Sequence, residues 1–176
     1  MKRVLCIALS LFALVATVPT TVVATNIDDA VTGVAWFEDH WIDLAIDWED
    51  ATACDVGADL SICFRTEAEL DDYLGSASRT GAAALLSTCG STLRLYDATS
   101  YSGTMISLSI RNTTHNLSSY GFDNKTSSYK VGACDTDFFS LSGLGGSVYP
   151  GNTSSFAQAS SMLSGWNNVV SSVYIF

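Results

Sequence analysis

Two stretches of the C-terminal half repeat each other at a fixed distance, and this constrains the fold more than any other feature. Ser118–Val131 (SSYGFDNKTSSYKV) aligns with Met162–Ile175 (MLSGWNNVVSSVYI) at an offset of 44 residues throughout. Gly121 falls on Gly165, Phe122 on Trp166, Asn124 on Asn168, and Ser127-Ser128 on Ser171-Ser172. A period of this length marks a supersecondary unit used twice. Each unit ends in a short apolar alternation, Tyr129/Val131 and Val173/Ile175. Leu93–Tyr96 and Met105–Ile110 are also strand-like, with turn residues between them. Two antiparallel units, neither able to bury its apolar face alone, are expected to pack as a sandwich.

The residues before this half are different in kind. Met1-Lys2-Arg3 followed by the apolar run Val4–Val18 and the small residues up to Ala24 reads as a secretory signal peptide, residues 1–24. The mature chain is therefore expected to be secreted, with no membrane association after cleavage. Between Thr25 and Asp72 there are fourteen acids and one base, Arg65, whereas Cys89–Phe176 carries four of each. The charge boundary falls in the small-residue stretch Gly75–Ser87, which suggests an acidic module at 25–88 and a second domain at 89–176. A net charge of −10 leaves no electrostatic footprint for nucleic acid.

Removal of the signal takes Cys6 and leaves Cys54, Cys63, Cys89 and Cys134, an even number in an exported chain. Of the three possible connectivities the preferred one is Cys54–Cys63, closing a short hairpin, with Cys89–Cys134 tying one repeat to the next. Zinc is disfavoured, because no cysteine pair has the usual short spacing and only His40 and His115 could assist. Within the acidic part, Thr52–Phe64 reads as a hairpin around Gly57. Thr66-Glu67-Ala68-Glu69 is a capping box that starts a helix running to about Leu74. Asn26–Trp48 fits both a helical and a strand period, and an extended course is expected after His40. Trp36, Trp41 and Trp48 are expected to pack the module onto its neighbour, with a ligand-binding surface as the other reading.

More specific motifs lie in the second half. Tyr96–Gly103 (YDATSYSG) matches Y/F-x4-Y/F-x-G, and both Asp123–Ser128 (DNKTSS) and Asn167–Ser172 (NNVVSS) match N/D-N/D-x-x-S/T-S. In these residues the chain resembles the microbial-type βγ-crystallins, over roughly Cys89–Phe176. The second hairpin, Phe139–Gly146, departs from the pattern by having Leu144 at the second aromatic position. The resemblance implies an all-β double Greek-key sandwich, with the first key at about 89–133 and the second at about 134–176, preceded by the small acidic α+β module. It also implies two calcium sites where the repeats face each other. Asn124 and Asn168 would supply side-chain oxygens, Lys125 and Val169 main-chain carbonyls, and Ser127 and Ser171 hydroxyls to the opposite site. Thr99 and Ser142 would add hairpin carbonyls, with Asp123 and Asn167 ordering the loops. So few charged ligands imply weak to moderate affinity for Ca2+.

Without G-x-S-x-G, H-E-x-x-H or a phosphate-binding loop, an enzyme is not expected, and both histidines are read as surface residues. The functional expectation is a secreted, non-enzymatic calcium-binding domain. The alternatives are a secreted protease (metalloproteinase) inhibitor on the same fold, using Leu141–Tyr149 or Arg111–Leu117 as its exposed loop, and a toxin or adhesion module. An extracellular protein or protease is the partner these alternatives require. Asn112, Asn116, Asn124 and Asn152 lie in N-x-S/T sequons.

Overall fold

The computed structural model describes residues 33–58, 60–79 and 88–176, and Val31–Phe176 forms one compact unit. The expected signal peptide and most of the charge boundary lie outside the described residues. The strands are β1 (Val34–Phe37), β2 (His40–Asp43), β3 (Ala53–Val56) and β4 (Ser61–Phe64), followed by helix α1 (Glu67–Arg79). Then come β5 (Thr88–Ala98), β6 (Ser102–Ile110), β7 (Thr113–Asn116), β8 (Ser128–Lys130), β9 (Thr136–Leu141), β10 (Gly145–Val148), β11 (Gln158–Ala159) and β12 (Ser172–Ile175).

Two sheets face each other, ordered β11-β8-β5-β6-β3-β4-β1-β2 and β10-β9-β12-β7. Each repeat sends its third strand into the other repeat's sheet. β5, β6 and β8 share the first sheet while β7 joins the second; β9, β10 and β12 share the second while β11 joins the first. This is the expected double Greek-key sandwich. Its core lies between the sheets, where Leu93, Leu95, Ile106, Leu108 and Tyr129 meet Leu117, Phe138, Val170, Val173 and Ile175.

The charge boundary does not divide this core. β3 pairs in parallel with β6, Ala53–Val56 against Met105–Leu108, so the acidic strands continue the first sheet. Ala35, Phe37, Ile42, Leu44 and Val56 belong to the same buried cluster as Leu108 and Phe122. Trp48 packs against Phe122, and its Nε1–H donates to Tyr120 O at 2.8 Å. At Gly121 (φ 62°) a Cβ would overlap the carbonyl of Leu44, so the module sits directly against this turn. The physical reason is that β6 would otherwise leave an open edge in a sheet whose inner face is apolar. Hydrogen bonding to β3 closes that edge.

Of the expectations for the acidic part, the capping box and the hairpin hold, and Trp48 packs onto the second half as expected, whereas Trp41 is exposed. Thr66 N–H donates to Glu69 Oε2 and Glu69 N–H to Thr66 Oγ1, the reciprocal pair of a capping box. Helix α1 starts there and runs five residues beyond the expected end. β3 and β4 form the hairpin, with Cys54 opposite Cys63 and joined to it. Cys89 and Cys134 form the second disulfide. Leu70 of α1 packs with Ala53, Tyr96 and Met105 on the outer face of the first sheet. Arg94 reaches from that face to Glu67 and Asp71 of the helix, and Tyr96 OH donates to Glu67 Oε1. Burial pulls the Arg94 guanidinium down, and the two carboxylates more than offset this, so it is held firmly charged.

One histidine departs from expectation. His40 is exposed, but His115 on β7 is fully buried, with Nε2 at 3.0 Å from Ile110 O and Nδ1 at 3.2 Å from Tyr120 OH. Its position in the alternation of β7 points it inward, where two polar partners satisfy the ring. Arg111–Leu117 is therefore not a free loop: most of it is β7, paired along its length with β12.

Two outcomes follow. A fragment of residues 89–176 loses β3, one of the two partners of β6; it should melt at a lower temperature than residues 25–176 and self-associate, measurable by calorimetry and analytical ultracentrifugation. Burial depresses the pKa of His115 below the ordinary 6.5. Below about pH 6.5 the unfolded chain binds a proton that the folded one resists, so stability falls as pH drops through that value toward the depressed one. His40 acts oppositely, because bonds to Glu49 and Asp39 raise its pKa, and its contribution is lost as pH rises through that raised value. The melting temperature of a His40→Gln variant should decline from pH 7 to pH 5, and adding His115→Gln should flatten that decline.

Candidate metal centre

The two hexapeptide motifs occupy equivalent turns that face each other. Asn124 (φ 55°) and Asn168 (φ 57°) both adopt the left-handed conformation, which Asn tolerates better than most side chains. The turns are laced together by backbone bonds, Asn124 N–H to Val170 O and Asn168 N–H to Thr126 O, both 3.0 Å. Each serine hydroxyl then meets the opposite asparagine. Ser127 Oγ donates to Asn168 Oδ1 at 3.0 Å, and Ser171 Oγ donates to Asn124 Oδ1 at 3.3 Å. Asn124 Nδ2 donates to Asp123 Oδ2, which aims its amide oxygen at Ser171.

The second serine of each motif does different work. Ser128 Oγ donates to Ala98 O at 2.6 Å and accepts from Tyr101 N–H at 3.1 Å. Ser172 Oγ donates to Leu141 O at 2.7 Å and accepts from Leu144 N–H at 3.0 Å. Each hydroxyl pins the folded hairpin of its own repeat beside its own motif. Thr99 and Ser142 lie within those hairpins, next to the pinned carbonyls. Their own carbonyls accept local bonds, from Ser102 Oγ and from Gly145 N–H respectively.

Leu144 does not disturb the second hairpin. Ser100, Tyr101 and Gly103 have φ of 59°, 57° and 80°; Gly143, Leu144 and Gly146 have 67°, 63° and 73°. The third position favours glycine in both, because its φ is positive and a side chain there would crowd a hydrogen-bonded oxygen. A Cβ on Gly103 would overlap Asp97 Oδ1, and one on Gly146 would overlap Ser140 Oγ. Those same atoms accept Thr104 N–H and Ser147 N–H at 2.8 Å each. The backbone path is thus set by the glycine and by the pinning serine, and the aromatic ring contributes packing alone.

The structure therefore brings Asn124, Ser171, Asn168 and Ser127 together in two crossed pairs, with Lys125 and Val169 in the same turns. It also shows what the sequence did not signal. Thr126 and Val170 fill equivalent buried positions, and Thr126 Oγ1 is the buried side-chain polar atom left unpartnered among the described residues. No group of three His, Cys, Asp or Glu that could hold a metal occurs among the described residues, so any ion here would be held by amide, hydroxyl and carbonyl oxygens.

No protein-family model matches the chain, and no curated protein matches it. Solved βγ-crystallin domains are similar to about half of it. A domain from Flavobacterium johnsoniae is 22% identical with a TM-score of 0.41, covering 48% of this chain and 92% of that one. A domain from Clostridium beijerinckii is 19% identical with a TM-score of 0.39, covering 48% and 97%. A clostrillin double mutant in complex with nickel is 18% identical with a TM-score of 0.39, again covering 48% and 97%.

Because Ser128 and Ser172 each satisfy a donor and an acceptor at low exposure, Ser128→Ala and Ser172→Ala should each cost about 1–3 kcal/mol, the penalty for leaving buried partners unmade. Chemical denaturation would measure it. The double variant should come near the sum, since the two hairpins are separate sites.

Proposed function

We propose that this is a secreted, non-enzymatic domain that binds two calcium ions and is stabilised by them. The observation that supports it is the crossed pairing of Asn168 Oδ1 with Ser127 Oγ and of Asn124 Oδ1 with Ser171 Oγ. Oxygens 3.0 and 3.3 Å apart fit as neighbouring ligands of one ion. At Ca–O distances near 2.4 Å such pairs subtend about 77° and about 87°, close to neighbours in a pentagonal bipyramid. One site would take Ser127, Asn168, the Val169 carbonyl and the Thr99 carbonyl. The other would take Ser171, Asn124, the Lys125 carbonyl and the Ser142 carbonyl.

The donor set selects the ion by its chemistry. Hard, uncharged oxygens suit calcium and leave it weakly held, because affinity follows ligand charge and rigidity. The chain's part is to hold these dipoles in place: the left-handed asparagines orient the turn carbonyls, and Asp123 keeps the Asn124 amide from rotating. Each site draws ligands from both repeats, so an ion would tie one Greek key to the other. Two disulfides and the apolar start of the chain support an extracellular setting.

Calorimetric titration of the mature protein should give saturable binding, with Kd of order 10⁻⁴–10⁻³ M or somewhat tighter. A hundredfold excess of calcium over Kd should add about 2.7 kcal/mol, seen as a rise in melting temperature that a chelator reverses. Magnesium should do less, because it demands closer octahedral packing. The double variant Ser127→Arg, Ser171→Arg should fold and lose the response. Absence of heat and of thermal shift in the wild type at millimolar calcium would overturn the reading.

A further inference from the structure

The outer face of the β1–β2 hairpin carries an aromatic surface that neither the core nor the proposed ion sites use. Among the described residues β2 is the terminal strand of the first sheet and pairs only with β1. Trp41 on β2 lies opposite Trp36 on β1, and Trp36 is in turn beside Ile62 on β4, so the three share one face. The indole rings stand 5.2 Å apart at 78°, forming two walls of a corner, and Trp41 is 58% exposed. Beside them a groove of about 280 Å³ is lined by Trp36, Phe37, Ile62 and Phe64, with Glu38, Arg65 and Glu69 around it.

The groove already accommodates one cation. The Arg65 guanidinium lies 5.6 Å from the centre of the Phe37 ring and is paired with Glu38 and Asp50. Its surroundings remain strongly acidic: Asp39, Asp43, Asp47 and Glu49 are all exposed around β2 and the turn that follows it. Tryptophan faces attract cations through the ring quadrupole, and nearby carboxylates reinforce this. An edge strand offers unpaired backbone groups to an added strand. Residues 25–32 (TNIDDAVT) carry two acids and no base, and a second copy of the chain repeats the −10 charge, so neither complements this surface.

We infer that the β2 edge with its Trp36–Trp41 corner docks an extended, Lys- or Arg-bearing segment of a partner protein. The segment adds alongside β2, and a cationic side chain lies against Trp41 within reach of Asp43. This surface is separate from the paired hexapeptide turns and acts whether or not those turns hold an ion.

The test uses the mature protein and synthetic peptides of alternating lysine and threonine, followed by tryptophan fluorescence and calorimetry at low salt. The expected result is saturable one-to-one binding with a change in indole emission, weakening as salt is added. Trp41→Ala should weaken it about tenfold, as loss of a central aromatic contact does, in a protein that still unfolds cooperatively with only a small drop in melting temperature from the lost Trp36 contact. Asp43→Asn with Asp47→Asn should also weaken it, since Asn keeps the acceptors for the Ala45 and Glu49 amides and removes only charge. A peptide with glutamate in place of lysine should not bind. Equal binding by Trp41→Ala would reduce the effect to diffuse charge attraction and overturn the inference. So would no saturable binding at millimolar peptide, or peptide-free self-association abolished by Trp41→Ala, which would assign the face to a second copy.

Discussion

Everything in the double Greek key rests on the exchange of one strand between repeats. β7 leaves the first repeat to pair with β12, and β11 leaves the second to pair with β8. Neither repeat can complete a sheet or cover its apolar face without the other. The crossed serine–asparagine bonds exist because this exchange sets the two motif turns against each other. The pinning serines exist because each hairpin must fold back over its own repeat. An interaction placed between the turns therefore acts on the whole sandwich, which is why weakly bound ions there would have a global effect on stability.

The acidic strands extend this arrangement without repeating it. They join by a parallel pairing at β6, and their apolar residues enter the same buried cluster. Among the described residues of these strands and their turns, the acids stay on the surface apart from Asp55. That carboxyl is buried between sheet and helix, accepts from Ser107 Oγ at 2.7 Å, and has its pKa raised by burial. The segment thus has two characters at once, apolar inward and anionic outward. Its net charge describes only the second.

That duality explains what could be read from the amino-acid sequence and what could not. The glycine of each hairpin, the capping box at Thr66 and the Cys54–Cys63 hairpin are local signals, set by residues near one another in the chain, and the 44-residue offset is legible because one local pattern recurs. They are found in the structure where expected. The β3–β6 pairing joins residues about fifty positions apart, and a four-residue strand contains nothing that names its partner. The shift in composition near residue 88 therefore read as a boundary. His115 was misplaced for a related reason. Its inward position depends on the register of β7 against β12, and the carbonyl and hydroxyl that satisfy it come from Ile110 and Tyr120. The crossed pairing of Ser127 and Ser171 was legible only through the repeat, since their asparagine partners lie over forty residues away.

The parallel pairing of β3 with β6 also bears on how the chain acquires its structure. The β3–β4 hairpin emerges early, and its cysteines lie directly opposite each other, so it can be closed while the rest of the chain is still to come. It cannot be buried until β6 has been made and aligned. Pairings between distant segments form slowly, because the entropy of closing the loop is spent before the contacts are gained. The completed hairpin must therefore wait with one side bare. The surplus of negative charge along this segment repels neighbouring chains while that edge is unpaired, so the acidity that looks like the mark of a separate module also guards an open strand edge during assembly.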